Sequence, residues 1–203
     1  MRGMTVPLIH RPTSPMETTM CRMTGLAFTI AAMLALGGCA SEGTPLTLAP
    51  QVDLDRYAGR WYIIANIPYF AENGKVGSYF DVSFPNSDVH DVYVGRAKSF
   101  DAEPSTVTMG GYVVPGSGNA RWRESPFWPI YLSYLVLYVD PDYRTALVGY
   151  PGRDYGWVLA REPNLDDKTY QGLLDRFAAQ GYDITQFKRV PQTPAQIGQP
   201  GFQ

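Results

Sequence analysis

The stretch Gly59-Arg60-Trp61, opening the apolar run Trp61-Tyr62-Ile63-Ile64-Ala65-Asn66-Ile67, constrains this chain more than any other. A glycine lets the backbone turn sharply out of the polar segment Asp53-Leu54-Asp55-Arg56-Tyr57 and into a strand. The tryptophan that follows is a large apolar plug with one polar handle, the indole N–H. Far along the chain a second apolar stretch, Tyr155-Gly156-Trp157-Val158-Leu159-Ala160-Arg161, ends on an arginine. We expect these two ends to meet. The Trp61 ring would close the floor of a barrel and the Arg161 guanidinium would lie across it.

Between and around them, strand signals recur at short spacing: Trp61–Ile67, 76–84, 89–100, 105–114, 120–124, 131–139, 145–150 and Tyr155–Arg161. Their separators carry turn residues, among them Glu72-Asn73-Gly74, Pro85-Asn86-Ser87-Asp88, Asp140-Pro141-Asp142 and Pro151-Gly152-Arg153-Asp154. Eight strands with short links predict an all-β, antiparallel up-and-down meander, and closure into a barrel removes its exposed edges. One helix follows. Asp166 fits an N-cap, and Tyr170, Leu173, Leu174 and Phe177 form an i, i+3, i+4, i+7 apolar face. Gly181 fits the left-handed stop. The helix is expected to pack on the outside of the barrel, with a short strand near 186–190. The tail 191–203, rich in Pro, Gln and Gly, is expected to lack fixed structure. With 45% hydrophobic and 13% aromatic residues in 203, there is material for one full core.

The N-terminus reads as an address. Leu26–Leu36 is an apolar run too short to span a bilayer and suited to a signal-peptide core. It ends at Leu36-Gly37-Gly38-Cys39, which resembles the lipobox of bacterial lipoproteins, where cleavage precedes an acylated cysteine. Residues 1–38 are thus expected to be removed, with translation starting at Met1, Met20 or Met23. Residues 39–51 would be the lipidated Cys39 and a polar tether, and 52–190 the folded domain. Acyl chains on Cys39 would make a membrane the first partner. Ala40 stands where an aspartate tends to retain such lipoproteins in the inner membrane, so the resemblance implies the outer membrane, lipid-anchored and facing the periplasm. A net charge of −2 without a Lys/Arg stripe argues against nucleic acid. Two histidines, His10 and His90, and two cysteines, Cys21 and Cys39, are too few and scattered for a metal site, and no cofactor is expected.

Three motifs in order resemble the lipocalin family, and specifically its bacterial outer-membrane lipoproteins. They are Leu54-Asp55-Arg56-Tyr57-Ala58-Gly59-Arg60-Trp61-Tyr62 with its G-x-W, the turn Val139-Asp140-Pro141-Asp142-Tyr143, and Trp157-Val158-Leu159-Ala160-Arg161. The resemblance spans roughly 52–190 and is poor over 85–125. It implies an eight-stranded barrel whose closed end is built on Gly59, Trp61, Asp140, Tyr143 and Arg161. Strand alternation then puts Ile63 and Ala65 on the inner face with Trp61, and Tyr155 and Trp157 on the inner face with Arg161. The strand 131–139 is apolar on both phases. The resemblance favours Tyr134, Val136 and Tyr138 inward, with Leu147 from the next strand.

These eight residues would line a cavity for a small hydrophobic molecule such as a fatty acid or lysophospholipid, with phenols or Arg153 holding a polar head. The leading function is an anchored carrier of such ligands. An enzyme is disfavoured: His90 reads as solvated, no free nucleophilic cysteine remains after acylation, and Asp81, Asp91, Asp101 and Glu103 read as solvated faces and turns. A buried carboxylate would reopen that case. The third possibility is a filled barrel that docks a partner through the aromatic segment Pro126-Phe127-Trp128-Pro129.

Overall fold

In the computed structural model, which describes residues 44–203, the strand signals become eight antiparallel strands. They are β1 (Gly59–Asn66), β2 (Lys75–Ser83), β3 (Asp88–Ala97), β4 (Pro104–Val113), β5 (Arg121–Phe127), β6 (Ile130–Val139), β7 (Thr145–Gly149) and β8 (Gly156–Ala160). Each pairs with the next, β8 pairs with β1, and β1 pairs back onto β2, so the sheet closes into a barrel. A two-residue β9 (Lys188–Arg189) adds to the far end of β1. A short helix α1 (Leu54–Tyr57) precedes β1, and α2 (Asp167–Ala179) follows β8. The signal peptide and Cys39 read from the sequence lie outside the described residues.

The alternation of buried residues fixes the inner face. On β2 it is Val76, Ser78, Phe80 and Val82; on β3 it is Val89, Asp91 and Tyr93. Two departures from strict alternation shape the rest. A bulge between Ile63 and Ala65 shifts β1 against β8, and another between Val136 and Tyr138 shifts β6 against β7. An extra residue flips every side chain beyond it to the opposite face. Ile63 and Val136 therefore point inward, while Ala65 and Tyr138, expected inside, point out. They meet Leu147 and Val158, with which they are paired across the sheet.

The barrel thus has two apolar clusters. One fills its interior and includes Trp61, Ile63, Phe80, Trp122, Tyr134, Val136 and Leu159. The other lies outside, where Ala65, Leu135, Leu137, Leu147 and Val158 receive Leu173, Leu174 and Phe177 of α2. The helix starts where the Asp166 carboxylate accepts from the Thr169 amide at 2.9 Å, and the left-handed Gly181 follows its end. Tyr138 lies under the Arg176 guanidinium of α2, 4.0 Å away.

Both chain segments flanking the domain are tied down. The β1–β2 ladder pairs only Gly59–Tyr62 with Tyr79–Val82, leaving open backbone groups beyond it. The C-terminal tail satisfies them instead of lying loose. The Gln192 side-chain amide donates to the carbonyls of Ile63 and Ser78, at 2.8 and 2.9 Å. The Gly77 amide donates to the Pro191 carbonyl, and the Gln203 amide donates to Asn66 Oδ1. A glutamine carries both donors and an acceptor, so a composition that suggests disorder here seals a seam. Upstream, Thr47 and Gln180 exchange two hydrogen bonds, the Ala49 amide donates to the Val136 carbonyl, and Ala49 and Val52 are buried. The tether expected over 39–51 is therefore bound to the barrel from Thr44 onward. Residues 44–203 form one compact unit with a closed sheet and both apolar clusters inside it, the anatomy of a domain that can fold on its own.

Candidate ligand cavity

Loop positions define two ends. Helix α1, the β2–β3, β4–β5 and β6–β7 turns and Arg161 share one end; the segments 67–74, 98–103, 128–129 and 150–155 share the other. At the first end Gly59 takes φ +100°, and a Cβ there would sit 3.4 Å from an Arg161 guanidinium nitrogen. The Arg161 guanidinium lies 3.8 Å over the Trp61 ring and donates to the carbonyls of Arg56, Tyr57, Ala58 and Arg60. The Trp61 indole N–H donates to the Tyr57 carbonyl at 2.8 Å. Tyr143, itself left-handed, accepts the Asp53 amide on its hydroxyl at 2.8 Å. The Asp140 carboxylate accepts from the amides of Asp142, Arg144 and Thr145 and from the Thr145 hydroxyl. Partial burial works to raise its pKa, but these hydrogen bonds win and hold the carboxylate below its usual range.

Above this floor the interior is solid. Trp122 stacks on Tyr134 with centroids 4.5 Å apart, Tyr57 meets Trp122 edge-on at 5.1 Å, and the Tyr57 and Tyr134 hydroxyls lie 3.0 Å apart. This aromatic plug fills the closed half. Above it, toward the open end, is a cavity of about 420 Å³. That size lies within the usual range for small-molecule pockets. Its walls include Tyr69, Phe80, Tyr93, Met109, Phe127 and Leu132. A larger cleft, about 630 Å³, lies outside between α2 and the β6–β7 turn. It is lined mainly by polar and charged groups, Asp140, Asp142, Arg144, Glu162, Asp166 and Arg176 among them, and offers no enclosed apolar wall.

Of the eight residues expected to line the cavity, Tyr134, Tyr155 and Trp157 do so. Ile63 and Val136 belong to the packed interior beneath it. Ala65 and Tyr138 lie outside under α2 because of the two bulges, and Leu147 lies there by the plain alternation of β7, whose Ala146 and Val148 face in. Arg153 is not a head-group ligand: it donates to the carbonyls of Gln180 and Thr44 and joins the upstream strap to the open rim. The wall residues missed from the sequence come from β2, β3, β4, β5, β6 and the loops at 67–74 and 150–155. Phase was the available signal for Phe80 and Tyr93, which alternate with other inward residues.

The cavity also carries acid. Glu72 is 3% exposed, accepting Asn66 Nδ2 at 2.6 Å and the Trp157 indole N–H at 3.0 Å. Burial pushes its pKa up to about 7, and the Trp157 and Asn66 bonds only partly restrain it. Glu124 lines the cavity at 3% exposure, and its Oε1 has no hydrogen-bond partner. Asp91, expected on a solvated face, is fully buried on the inner face of β3 with both carboxylate oxygens unpartnered. Burial pushes both of these carboxyls well above the ordinary range; Asp91 raises Glu124 further, and Asp81 and Glu72 raise Asp91. His90, the preceding residue, faces out and is exposed. Among the described residues no group of His, Cys, Asp and Glu is arranged to hold a metal ion.

A closed antiparallel barrel, plugged at one end and hollow at the other, with a helix on its wall, defines a small β-barrel of the kind that can enclose one ligand. The chain matches the family of lipocalin-like domains over residues 52–192, and it belongs to that family. It is 30% identical to the outer membrane lipoprotein Blc of Escherichia coli K12, covering 84% of this chain and 98% of that one. It is 29% identical to temperature-induced lipocalin-1 of Arabidopsis thaliana, over 75% of this chain and 86% of that one. Among solved structures it resembles insecticyanin from the tobacco hornworm Manduca sexta, with a TM-score of 0.61 at 15% identity. That match covers 76% of this chain and 88% of insecticyanin.

Proposed function

We propose that this protein is a carrier that binds, stores or transports a small hydrophobic molecule in the bacterial envelope. The observation that carries this reading is the 420 Å³ aromatic-walled cavity standing open above a plugged floor. Ligands with a single acyl chain, fatty acids or lysophospholipids, suit such a space. About ten buried methylenes at ~0.8 kcal/mol each contribute ~8 kcal/mol gross. A micromolar dissociation constant corresponds to ~8 kcal/mol net, so ordering costs require a longer chain or a polar contact.

The similarity to outer membrane lipoproteins supports an anchor on Cys39 and a periplasm-facing outer-membrane location. A membrane-proximal open end has support of its own. The described chain enters at the open rim, where Arg153 holds Thr44, and the same end exposes Phe70, Phe127 and Trp128 at 94%, 67% and 82%. A tether entering there keeps the mouth of the cavity nearest the bilayer. Labelled palmitate incorporated by the full chain and lost in Cys39→Ser tests the anchor.

The binding test uses residues 44–203 and a neutral dye, Nile red, displaced by 1-alkanols of increasing length. Saturable displacement that strengthens with chain length is expected. No displacement at any length would overturn the carrier reading. Family membership supports binding rather than catalysis; the buried Glu124 favours one second reading, acid catalysis on a bound lipid. Turnover of a bound ligand, abolished by Glu124→Gln, would establish it.

A further inference from the structure

The cavity has a charge pattern that an ordinary acyl-chain pocket does not need. No lysine or arginine lines it, while two carboxyl groups do, Glu72 and Glu124. Glu72 is committed to Asn66 and Trp157. Glu124 is not: the residue lines the cavity, and its buried Oε1 has no partner. Asp91 adds two more unpartnered oxygens close enough to act electrostatically on Glu124. Toward the floor, Arg161 is spent on backbone carbonyls and the Trp61 ring. β4 places Gly111 opposite Glu124, so no side chain there supplies a donor. An unpaired buried carboxyl costs free energy, and pairing it with a cation removes that cost.

The same cavity is walled by rings. Tyr69, Phe80, Tyr93, Tyr134, Tyr155 and Trp157 all border it. Aromatic faces attract cations, most strongly where water is excluded, and rings around a carboxylate form the usual receptor for quaternary ammonium groups. From this conjunction we infer that the cavity selects a ligand carrying a cationic amine or quaternary ammonium on a hydrophobic body, with Glu124, backed by Asp91, as its counter-ion. A free carboxylate head is disfavoured, because the wall offers it no lysine or arginine. This rests on the carrier reading above and narrows it from any apolar guest to a cationic one.

Three probes with the same ten-carbon chain separate the alternatives: decyltrimethylammonium, decanoate and decanol. Binding to residues 44–203 is followed by tryptophan emission and calorimetry below the micelle concentration. Decyltrimethylammonium is expected to bind at least about tenfold more tightly than decanoate, a modest gain for a charge pair in a partly dry site. Glu124→Gln is expected to weaken the cation about tenfold more than it weakens decanol, with Asp91→Asn acting in the same direction. Should Glu124→Gln fail to fold, the ranking of the three probes on the unaltered protein decides the matter alone. Decanoate binding as tightly as the cation would overturn the inference, as would decanol binding while neither ion does; both leave the carrier reading standing. Failure of all three to bind would overturn the two together.

Discussion

Replacing Glu72 by Gln changes the pH dependence of stability by an amount that follows from the structure. The carboxyl is almost fully buried between Asn66 and Trp157, and its folded pKa is about 7 against an ordinary 4.5. Below 4.5 the carboxyl is protonated both folded and unfolded, and contributes no difference. As pH rises from there to about 7, the unfolded chain releases the proton and the folded chain keeps it. Stability falls by ~1.4 kcal/mol per pH step and levels off above 7, about 3 kcal/mol lower. Glutamine cannot ionise, and its Oε1 can still accept from Asn66 and Trp157. The assay is urea unfolding of both proteins from pH 4 to 8.5. The expected result is a difference curve that is flat below about pH 4.5, climbs in favour of Glu72→Gln, and is flat again above 7, at ~3 kcal/mol. Asp91 and Glu124 tilt both proteins the same way and largely cancel in the difference. Parallel curves, or unaltered protein gaining on the variant as pH rises, would mean that hydrogen bonds outweigh burial at this site and would refute the reasoning.

Two further outcomes follow from the packing. Trp61→Ala removes a fully buried ring and the surface on which Arg161 rests, and should cost about 3–5 kcal/mol by urea unfolding while leaving alkanol affinity of the folded protein within about twofold. Unchanged stability would contradict a structural floor. Leu147→Ala opens the interface with α2, and should cost about 2–5 kcal/mol without weakening alkanol binding. Lost affinity at unchanged stability would return Leu147 to the cavity wall.

The closed end was readable because its parts are chemically singular. Few residues other than Gly59 take φ +100°, and only an arginine can cover an indole while reaching four carbonyls at once. The strands and α2 were readable from turn residues and period. The faces of β1 and β6 were not. Both strands are apolar on either phase, so nothing in Ile63-Ile64-Ala65 or Val136-Leu137-Tyr138 marks the extra residue of a bulge. Asp91 was missed for a different reason. It alternates with Val89 and Tyr93, and phase alone puts it inside, but the cost of burying a carboxylate argues for water. The glutamines of the tail were misread because their partners, the open carbonyls of β1 and β2, are set by register and not by local sequence.

The bulges and the acids belong to one division of labour. By turning Ala65 and Tyr138 outward beside Leu147, the bulges widen a second apolar face on the barrel, and α2 covers it. The aromatic plug and Arg161 secure the closed half. Both sources of stability lie outside the cavity, whose wall is therefore free to carry groups that oppose folding. Two buried acids line it, Glu72 restrained by hydrogen bonds and Glu124 with an unpaired oxygen, and Asp91 is buried near Glu124 with two more. An apolar residue at position 91 or 124 would fill the same space at lower cost. A barrel that only had to be stable would use one. What distinguishes Glu124 from its apolar substitutes is the charge it can present to a cationic guest, and the stability supplied elsewhere in the barrel is what makes a buried, unpaired carboxyl tolerable while the cavity is empty.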